Sequence, residues 1–194
     1  MTRTAAINRK TRETEIALTL NLDGSGSVAV STGVGFLDHL LAALATHAGF
    51  DLSLTCTGDL NVDDHHTAED CAIALGQAID AALGDRTGIA RFGSAYAPLD
   101  EALARAVVDL VTRPHATVNL PLNYDRIGAL ACENIPHVLA SLATAARLCL
   151  HADVIRGEND HHKAEATFKA AALALRQAVA RTGSTNAPST KGVM

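Results

Sequence analysis

The sequence predicts an α+β fold built from two copies of one ββαβα unit. The segment "HLLAALAT", which begins at His39, matches "HVLASLAT", which begins at His137. The motif Asp-His-His-x-Ala-Glu also occurs twice, beginning at Asp64 and at Asp160. Its first histidine follows the histidine of the earlier segment by 26 residues in one case and 24 in the other. An internal duplication explains both matches at nearly constant spacing.

A third match, between "LGQAI" from Leu75 and "LRQAV" from Leu175, supports the same repeat. Alanine- and leucine-rich helices resemble one another by composition, so the helix bodies alone would prove little. The histidines and glutamates that fall in register carry the argument. We therefore expect one domain over residues 1–194, made of two pseudo-symmetric halves (about 1–90 and 91–181) and a C-terminal tail (182–194).

Hydrophobic periodicity predicts the elements of the first half. Ile16, Leu18, Leu20 and Leu22 alternate with polar residues, as in a strand with one buried face, and the turn sequence "DGSG" follows. Gly49 stands where a helix C-cap belongs. The prediction for this half is strands at 11–22, 28–31 and 51–57, and helices at 36–48 and 64–83.

The second half is predicted to repeat this order. Gly84 suits the C-cap of the preceding helix, and Asp64 and Asp160 suit the N-caps of the two motif helices. The prediction is extended segments between 91 and 120, a helix at 133–151, a short strand near 152–155, and a helix at 160–181.

Composition excludes several classes of protein. The chain is 48% hydrophobic but only 3% aromatic, so alanine, leucine, valine and isoleucine must build the core. A net charge of −5 argues against a general nucleic-acid binder, which needs basic residues to neutralise phosphates. The apolar runs are shorter than the ~20 residues that span a bilayer, so no membrane partner is expected. Four scattered cysteines and no secretory signal indicate reduced thiols and a cytoplasmic location.

The duplicated histidines and glutamates predict a metal site. Residues four apart share one face of a helix, whereas the next residue is rotated by about 100°. His65 and Glu69 therefore point the same way, as do His161 and Glu165, and each pair can hold one ion. His66 and His162 would each serve a different ion from their neighbours. With His39 and His137 added, six imidazoles and two carboxylates suffice for two ions with open coordination positions.

Imidazole and carboxylate ligands without a thiolate suit manganese, iron, zinc or nickel, and an open octahedral site favours Mn²⁺ or Fe²⁺. The alternative is that these are ordinary polar residues at helix N-termini, and this is the default for a lone histidine. It does not explain a duplicated set. His47 lies two helical turns beyond His39 and is predicted to line the same cavity, whereas His115 and His151 are assigned structural roles.

These residues resemble the imidazoleglycerol-phosphate dehydratase family over almost the whole chain. The matching stretches include "GFLDHLLAALATHAGFDL", "GDLNVDDHHTAEDCAIALGQAI", "ALGDRTGIARFG", "PLDEALA", "GENDHHKAEATFKAAALALRQA" and "PSTKG". Together they are highly specific, although no single one would be. Leu37 and "HVLASLA" are less aromatic than is usual in the family, and these changes leave the ligand positions untouched.

The resemblance implies a fold like the second domain of ribosomal protein S5, with helices packed between two mixed sheets. It also implies two Mn²⁺ ions per active site, and active sites at the subunit interfaces of a 24-subunit homo-oligomer. One ion is expected to be bound by His39, His66, His161 and Glu165, and the other by His65, Glu69, His137 and His162.

The reaction implied is removal of water from D-erythro-imidazole-glycerol phosphate to give imidazole-acetol phosphate in L-histidine biosynthesis. The leaving proton has no neighbouring carbonyl, so ordinary enolate stabilisation is not available. Two ions can instead hold the substrate ring as imidazolate, from which the adjacent hydroxyl departs. Glu13 matches the acid–base residue of the family.

Positive side chains are expected to bind the phosphate of the substrate, because the protein as a whole is acidic. Lys169 lies two turns from His161 on roughly the same helix face, and the tail that carries Ser189 and Lys191 is expected to close over the phosphate. The resemblance implies phosphate ligands at Arg91, Arg113, Lys169, Ser189 and Lys191. The predicted substrate-binding set is Glu13, His39, His47, His65, Glu69, Arg91, Arg113, His161, Lys169, Ser189 and Lys191.

Two other functions fit parts of this pattern. A dinuclear hydrolase of phosphate esters could use the same ligands, but few carboxylates are present to bridge two close ions. A metal-storing shell would explain the histidines but gives no role to Glu13 or to the arginines. The chain has neither the length nor a motif for a fused histidinol-phosphatase domain, so dehydratase activity alone is expected.

Overall fold

Each half of the chain folds into a four-stranded mixed sheet. The structure is a computed structural model, and it describes residues 2–192. The first sheet has the order β1-β2-β4-β3 and the second has the order β5-β6-β10-β7. Their strands are β1 (Thr4–Lys10), β2 (Thr14–Asn21), β3 (Val28–Ser31), β4 (Asp51–Gly58), β5 (Phe92–Leu99), β6 (Ala102–Asp109), β7 (His115–Asn119) and β10 (Cys149–Arg156).

Four helices and a short hairpin complete the described residues. The hairpin of β8 (Arg126–Ile127) and β9 (Leu130–Ala131) precedes the third helix. None of the helices is long and apolar enough to cross a membrane within the described part of the chain. The helices are α1 (Gly35–Ala48), α2 (His65–Leu83), α3 (Asn134–Ala145) and α4 (Asp160–Ala178).

The two sheets have the same topology, which confirms the predicted α+β fold and its mixed sheets. In each sheet the first three positions are antiparallel neighbours, and the fourth strand runs parallel to the third. Each four-stranded sheet has one strand more than the predicted ββαβα unit, so the repeated unit is βββαβα, and the second half also carries the β8–β9 hairpin.

The helices lie between the two sheets. The pair α1 and α2 packs on the first sheet, and the pair α3 and α4 packs on the second. Across the middle of the molecule, α1 contacts α4 and α2 contacts α3. Each helix–helix contact therefore joins one half of the chain to the other.

Small aliphatic side chains form the core, as the composition predicts. Ile16, Leu18 and Leu20 of β2 point inward and are 2% exposed. Phe50 and Phe168 are the only phenylalanines of the described residues that are fully buried. With alanines on all four helices, the layers approach closely enough to exclude water.

Two predicted strand boundaries were wrong. Residues 4–10 form a separate strand, and residues 11–13 make the turn to β2. The strand β1 was missed because it lies at the edge of its sheet, where its polar and basic residues give no apolar alternation. The strand predicted near 152–155 begins earlier, at Cys149.

Helix ends were also misplaced. The helix predicted at 133–151 ends at Ala145, and Arg147 adopts a left-handed conformation (φ 52°) before the chain extends again. The apolar run from Leu148 concealed this break, because periodicity does not separate a helix end from a buried strand. The helix predicted at 160–181 ends at Ala178, and its N-cap is Asn159 rather than Asp160.

Candidate functional site

Two clusters of histidine and glutamate lie where helices of different halves meet. In the first cluster, His39 of α1 faces His161 and Glu165 of α4. The Nε2 atoms of His39 and His161 lie 2.8 and 3.2 Å from Oε2 of Glu165. Three possible ligand atoms therefore converge on one point.

The second cluster has the same composition. His65 and Glu69 of α2 face His137 of α3. Nε2 of His137 lies 3.1 Å from Oε1 of Glu69, and Nε2 of His65 lies 4.0 Å from its other oxygen. The imidazole rings of His65 and His137 are nearly parallel, with centroids 5.1 Å apart.

The clusters are related by the internal repeat. In each cluster, the helix that carries the Asp-His-His-x-Ala-Glu motif (α2 or α4) supplies one histidine and the glutamate. The helix of the other half that carries the earlier histidine segment (α3 or α1) supplies the third member. The match of "LGQAI" with "LRQAV" fits this relation less well. Gly76 follows Glu69 by seven residues, but Arg176 follows Glu165 by eleven, so that match is displaced by about one helical turn.

A lysine and a phenylalanine contact the first cluster. Nζ of Lys169 lies 2.5 Å from Oε1 of Glu165. Burial raises the pKa of Glu165, but the hydrogen bonds from Lys169 and His39 outweigh this effect and lower it to about 2. The ring of Phe36 packs against His39 and His161. This carboxylate is therefore ionised and held in place at neutral pH.

The second cluster has a polar neighbour instead. Nδ1 of His65 lies 2.9 Å from Oδ1 of Asn134, the first residue of α3. Ser141 Oγ lies 3.4 Å from Nε2 of His137. Glu69 is 35% exposed, compared with 12% for Glu165, so the carboxylate of the second cluster is the more exposed of the two.

His66 and His162 lie outside the clusters of their own chain, as a rotation of about 100° from the preceding residue requires. Nδ1 of His66 lies 3.0 Å from Asp59, and its Nε2 lies 3.6 Å from Oε1 of Glu13. Hydrogen bonding to Asp59 raises the pKa of His66. Glu13 is half exposed beside this imidazole and is free to reach a bound molecule.

His162 has a similar environment in the other half. Its Nδ1 lies 2.7 Å from Oε2 of Glu101, and its Nε2 lies 3.8 Å from Asp100. The hydrogen bond with Glu101 raises the pKa of His162 and, together with backbone donors, lowers the pKa of Glu101 to about 2. Both imidazoles thus have an acidic partner on Nδ1.

A basic cleft of about 330 Å³ brings four of the predicted phosphate ligands together. Arg91, Arg113, Ser189 and Lys191 all line it. Arg91 also forms a two-point ion pair with Asp109. Arg113 makes no hydrogen bond or ion pair with any residue that the structure describes, so its guanidinium is available to an anion.

The described part of the tail packs against the protein rather than extending away from it. Gly88 N donates to Asn186 O, and Thr182 N donates to Gly88 O. Arg91 Nη1 donates to Pro188 O at 2.8 Å. These contacts place the tail over the basic cleft, whereas residues 193 and 194 of the predicted tail, like residue 1 of the predicted domain, lie outside the described residues.

Two predicted substrate ligands lie elsewhere. Lys169 pairs with Glu165 of the first cluster and does not line the basic cleft. His47 lies near the C-terminal end of α1, about 12 Å along the helix axis from His39, and makes no hydrogen bond or ion pair with a described residue. That His47 and His39 line one cavity therefore stays a prediction.

The sequence analysis missed Asp59, Glu101 and Asn134, each of which contacts Nδ1 of a predicted metal ligand. Metal-binding histidines usually donate the second ring N–H to an acceptor. That rule predicts that such partners exist. It does not identify them, because they are distant in sequence from their histidines or show no spacing pattern.

Comparisons with known proteins show the family of this chain. A sequence model of the family imidazoleglycerol-phosphate dehydratase matches residues 32–175. An imidazoleglycerol-phosphate dehydratase of Phaffia rhodozyma is 54% identical, with 99% of this chain and 96% of the relative covered. One of Phytophthora nicotianae is 58% identical, with 99% of this chain but only 42% of that longer relative covered.

Solved structures show the same fold. The crystal structure of imidazoleglycerol-phosphate dehydratase from Staphylococcus aureus is 35% identical with a TM-score of 0.81, and covers 92% of this chain and 99% of its own. The corresponding enzyme of Pyrococcus furiosus, crystallised in complex with (S)-C348, is 36% identical with a TM-score of 0.83, with 97% and 100% covered. The chain belongs to the imidazoleglycerol-phosphate dehydratase family, metal-dependent enzymes that act on a small molecule in histidine biosynthesis.

Proposed function

We propose that this protein dehydrates D-erythro-imidazole-glycerol phosphate to imidazole-acetol phosphate with two Mn²⁺ ions at each active site. The pair of mirrored His/Glu clusters is the observation that carries the proposal. Each offers two imidazole nitrogens and one carboxylate oxygen within 4.8 Å of one another, and no thiolate. This donor set fits Mn²⁺ and leaves coordination positions for further ligands.

The ligand sets of the proposal contain one further histidine each. His39, His161 and Glu165 would be joined by His66, and His65, Glu69 and His137 by His162. Because His66 and His162 face away from the clusters of their own chain, we propose that a neighbouring subunit supplies them. The family resemblance supports a 24-subunit homo-oligomer. We also propose that the protein is located in the cytoplasm.

The ions would supply Lewis acidity that holds the imidazole ring of the substrate as imidazolate. The side chains of the protein would do the remaining work. The carboxylate of Glu13, half exposed beside His66, is suited to take the carbon-bound proton or to protonate the departing hydroxyl. Asp59 would hold the imidazole next to it in one orientation.

The basic cleft is proposed to bind the phosphate. Arg113 can grip two phosphate oxygens with its planar guanidinium, and Lys191 contributes a point charge. Ser189 adds a hydroxyl donor at the same cleft. The cleft shares no residue with either cluster. We therefore propose that the active site combines several subunits, so that one small substrate can contact both the ions and the cleft.

Purified, demetallated protein provides the test. With Mn²⁺ restored, it is expected to form imidazole-acetol phosphate from the substrate, and a chelator is expected to abolish the reaction. A parallel assay for free phosphate with a simple phosphate ester separates dehydration from hydrolysis. Full turnover without metal, or phosphate release alone, would contradict the proposal.

A further inference from the structure

We propose that Asn134 is a positioning residue that orients His65 as a metal ligand in the second cluster. The inference rests on the proposed two-metal site and adds to it a residue whose hydrogen bonds act on one ion only. Asn134 is 3% exposed and stands at the first position of α3, three residues before His137. One end of this helix therefore carries both a predicted ligand and the partner of another.

The hydrogen bonds of Asn134 fix the direction of its amide. Nδ2 of Asn134 donates to Oδ2 of Asp64 at 2.9 Å. The same carboxylate accepts from Arg126 and from the backbone N–H of Ala131, and it is 4% exposed. Because an ionised carboxylate only accepts hydrogen bonds, the amide nitrogen must face Asp64 and the amide oxygen must face the other way.

That orientation selects one tautomer of His65. Oδ1 of Asn134 lies 2.9 Å from Nδ1 of His65 and can only accept. Nδ1 must therefore carry the proton, so the lone pair of the imidazole is on Nε2, on the side of Glu69 and His137. The series Asp64–Asn134–His65 thus presents a ligand nitrogen with its tautomer and ring direction already set.

The contact is specific to the second cluster. Within the described residues, neither His39 nor His161 makes a hydrogen bond through Nδ1. The only other predicted ligands with a partner on Nδ1 are His66 and His162, which face carboxylates rather than an amide. Loss of the Asn134 amide should therefore weaken one ion and leave the other unchanged.

Four full-length proteins test this: the unsubstituted chain, Asn134→Leu, Asn134→Gln and Asn21→Leu. Leucine has nearly the shape of asparagine but no acceptor, whereas glutamine keeps both an amide oxygen for His65 and an amide N–H for Asp64. Asn21 is the matched control, because its amide also donates to a carboxylate, that of Asp51, on the first sheet. The measurement is titration of demetallated protein with Mn²⁺, with free Mn²⁺ read by electron paramagnetic resonance.

The unsubstituted chain should bind two ions per subunit, and its failure to do so would count against the proposed function rather than against Asn134. Asn134→Leu should weaken the metal site of the second cluster by about 10–100-fold, the range typical of a lost outer partner, and leave the site of the first cluster unchanged. Asn134→Gln should lose clearly less affinity than Asn134→Leu, and Asn21→Leu should retain the affinity of the unsubstituted chain.

Unchanged affinity in Asn134→Leu, or equal loss at both sites, would overturn the inference. Equal loss in Asn134→Leu and Asn134→Gln would also overturn it, because the amide would then have no role. Thermal unfolding of the demetallated proteins checks integrity. If Asn134→Leu does not fold, Asn134→Ala replaces it, with the same selective loss expected and the same outcomes against it.

Discussion

The two clusters have the same three ligand types but different surroundings. In the first cluster, Glu165 is mostly buried and its second oxygen is paired with Lys169. In the second cluster, Glu69 is more exposed, and Ile73 occupies the position that Lys169 has in the first, four residues after the glutamate. The proposed metal ligands are thus the same in the two halves, whereas the side chains around them differ. The two ions are therefore expected to differ in affinity.

The largest expected effect comes from removing each glutamate in turn. Glu165→Gln removes a charged ligand and leaves Lys169 unpaired beside the site, whereas Glu69→Gln removes the ligand alone. Both should lose one ion, with more than the roughly 10–100-fold weakening that follows loss of an outer partner, and Glu165→Gln should be the more damaging. Metal analysis after gel filtration measures this. Equal loss of both ions in either variant would contradict separate clusters.

The second prediction compares the acids beside His66 and His162. Glu13→Gln should keep two ions and lower kcat by about 10²–10⁴-fold, the usual contribution of a general acid–base. Glu101→Leu is the comparable change in the other half. It removes the acceptor from Nδ1 of His162 and should weaken metal binding by about 10–100-fold. Near-normal turnover in Glu13→Gln would remove that residue from the mechanism.

The third prediction separates phosphate binding from both clusters. Deleting the chain from Ser189 onward removes Ser189 and Lys191 from the basic cleft. Since a hydrogen bond to a charged group contributes about 1.5–3 kcal/mol, KM should rise by about 100-fold or more while metal content stays at two ions. Steady-state kinetics with metal analysis tests this. An unchanged KM would assign the tail no part in substrate binding.

The fourth prediction exchanges the residues that distinguish the clusters. Lys169→Met should raise KM by about tenfold if the lysine contacts phosphate, and the first ion should be retained because Glu165 stays in place. Ile73→Lys places an ammonium group near Glu69 and should weaken the second ion by a few-fold. If Ile73→Lys leaves both ions unaffected, the pairing with Lys169 does not explain any difference in affinity.

The smallest effect concerns the helix contact under the second cluster. A Cβ on Gly76 of α2 would lie 2.6 Å from Leu142 O and 2.7 Å from Ala145 Cβ of α3. Gly76→Ala should therefore lower the free energy of unfolding by about 1–3 kcal/mol, despite the better helix propensity of alanine. Ala172 follows Glu165 by seven residues, as Gly76 follows Glu69. Ala172→Gly should lower the free energy of unfolding by about 1 kcal/mol, because glycine has a lower helix propensity than alanine. Chemical denaturation measures both, and a stabilised Gly76→Ala would contradict the close approach.

The His/Glu pairs of the two clusters could be predicted from the sequence because helical geometry is local. Residues 65 and 69, like 161 and 165, share one face of their helix wherever that helix lies. The repetition of the same residue types in both halves indicated that they could bind metal. Element ends were less predictable, since β1 has no apolar alternation and the break at Arg147 lies inside an apolar run. Which helix meets which, and therefore which histidine joins each glutamate, depends on packing across the molecule. The contacts of Asn134, Asp59 and Glu101 are tertiary for the same reason.

The crossing of the clusters between halves has an evolutionary consequence. A lone βββαβα unit would carry the tandem histidines and the glutamate on one helix and the third ligand on the other, yet these two helices do not form a cluster within one unit. An ancestral half-length polypeptide could have bound an ion in this way only by pairing with a second copy in a two-fold arrangement, because the α1–α4 and α2–α3 contacts are reciprocal. Fusion of two such genes would make the contact between the two copies intramolecular. The side chains around the two clusters could then change independently.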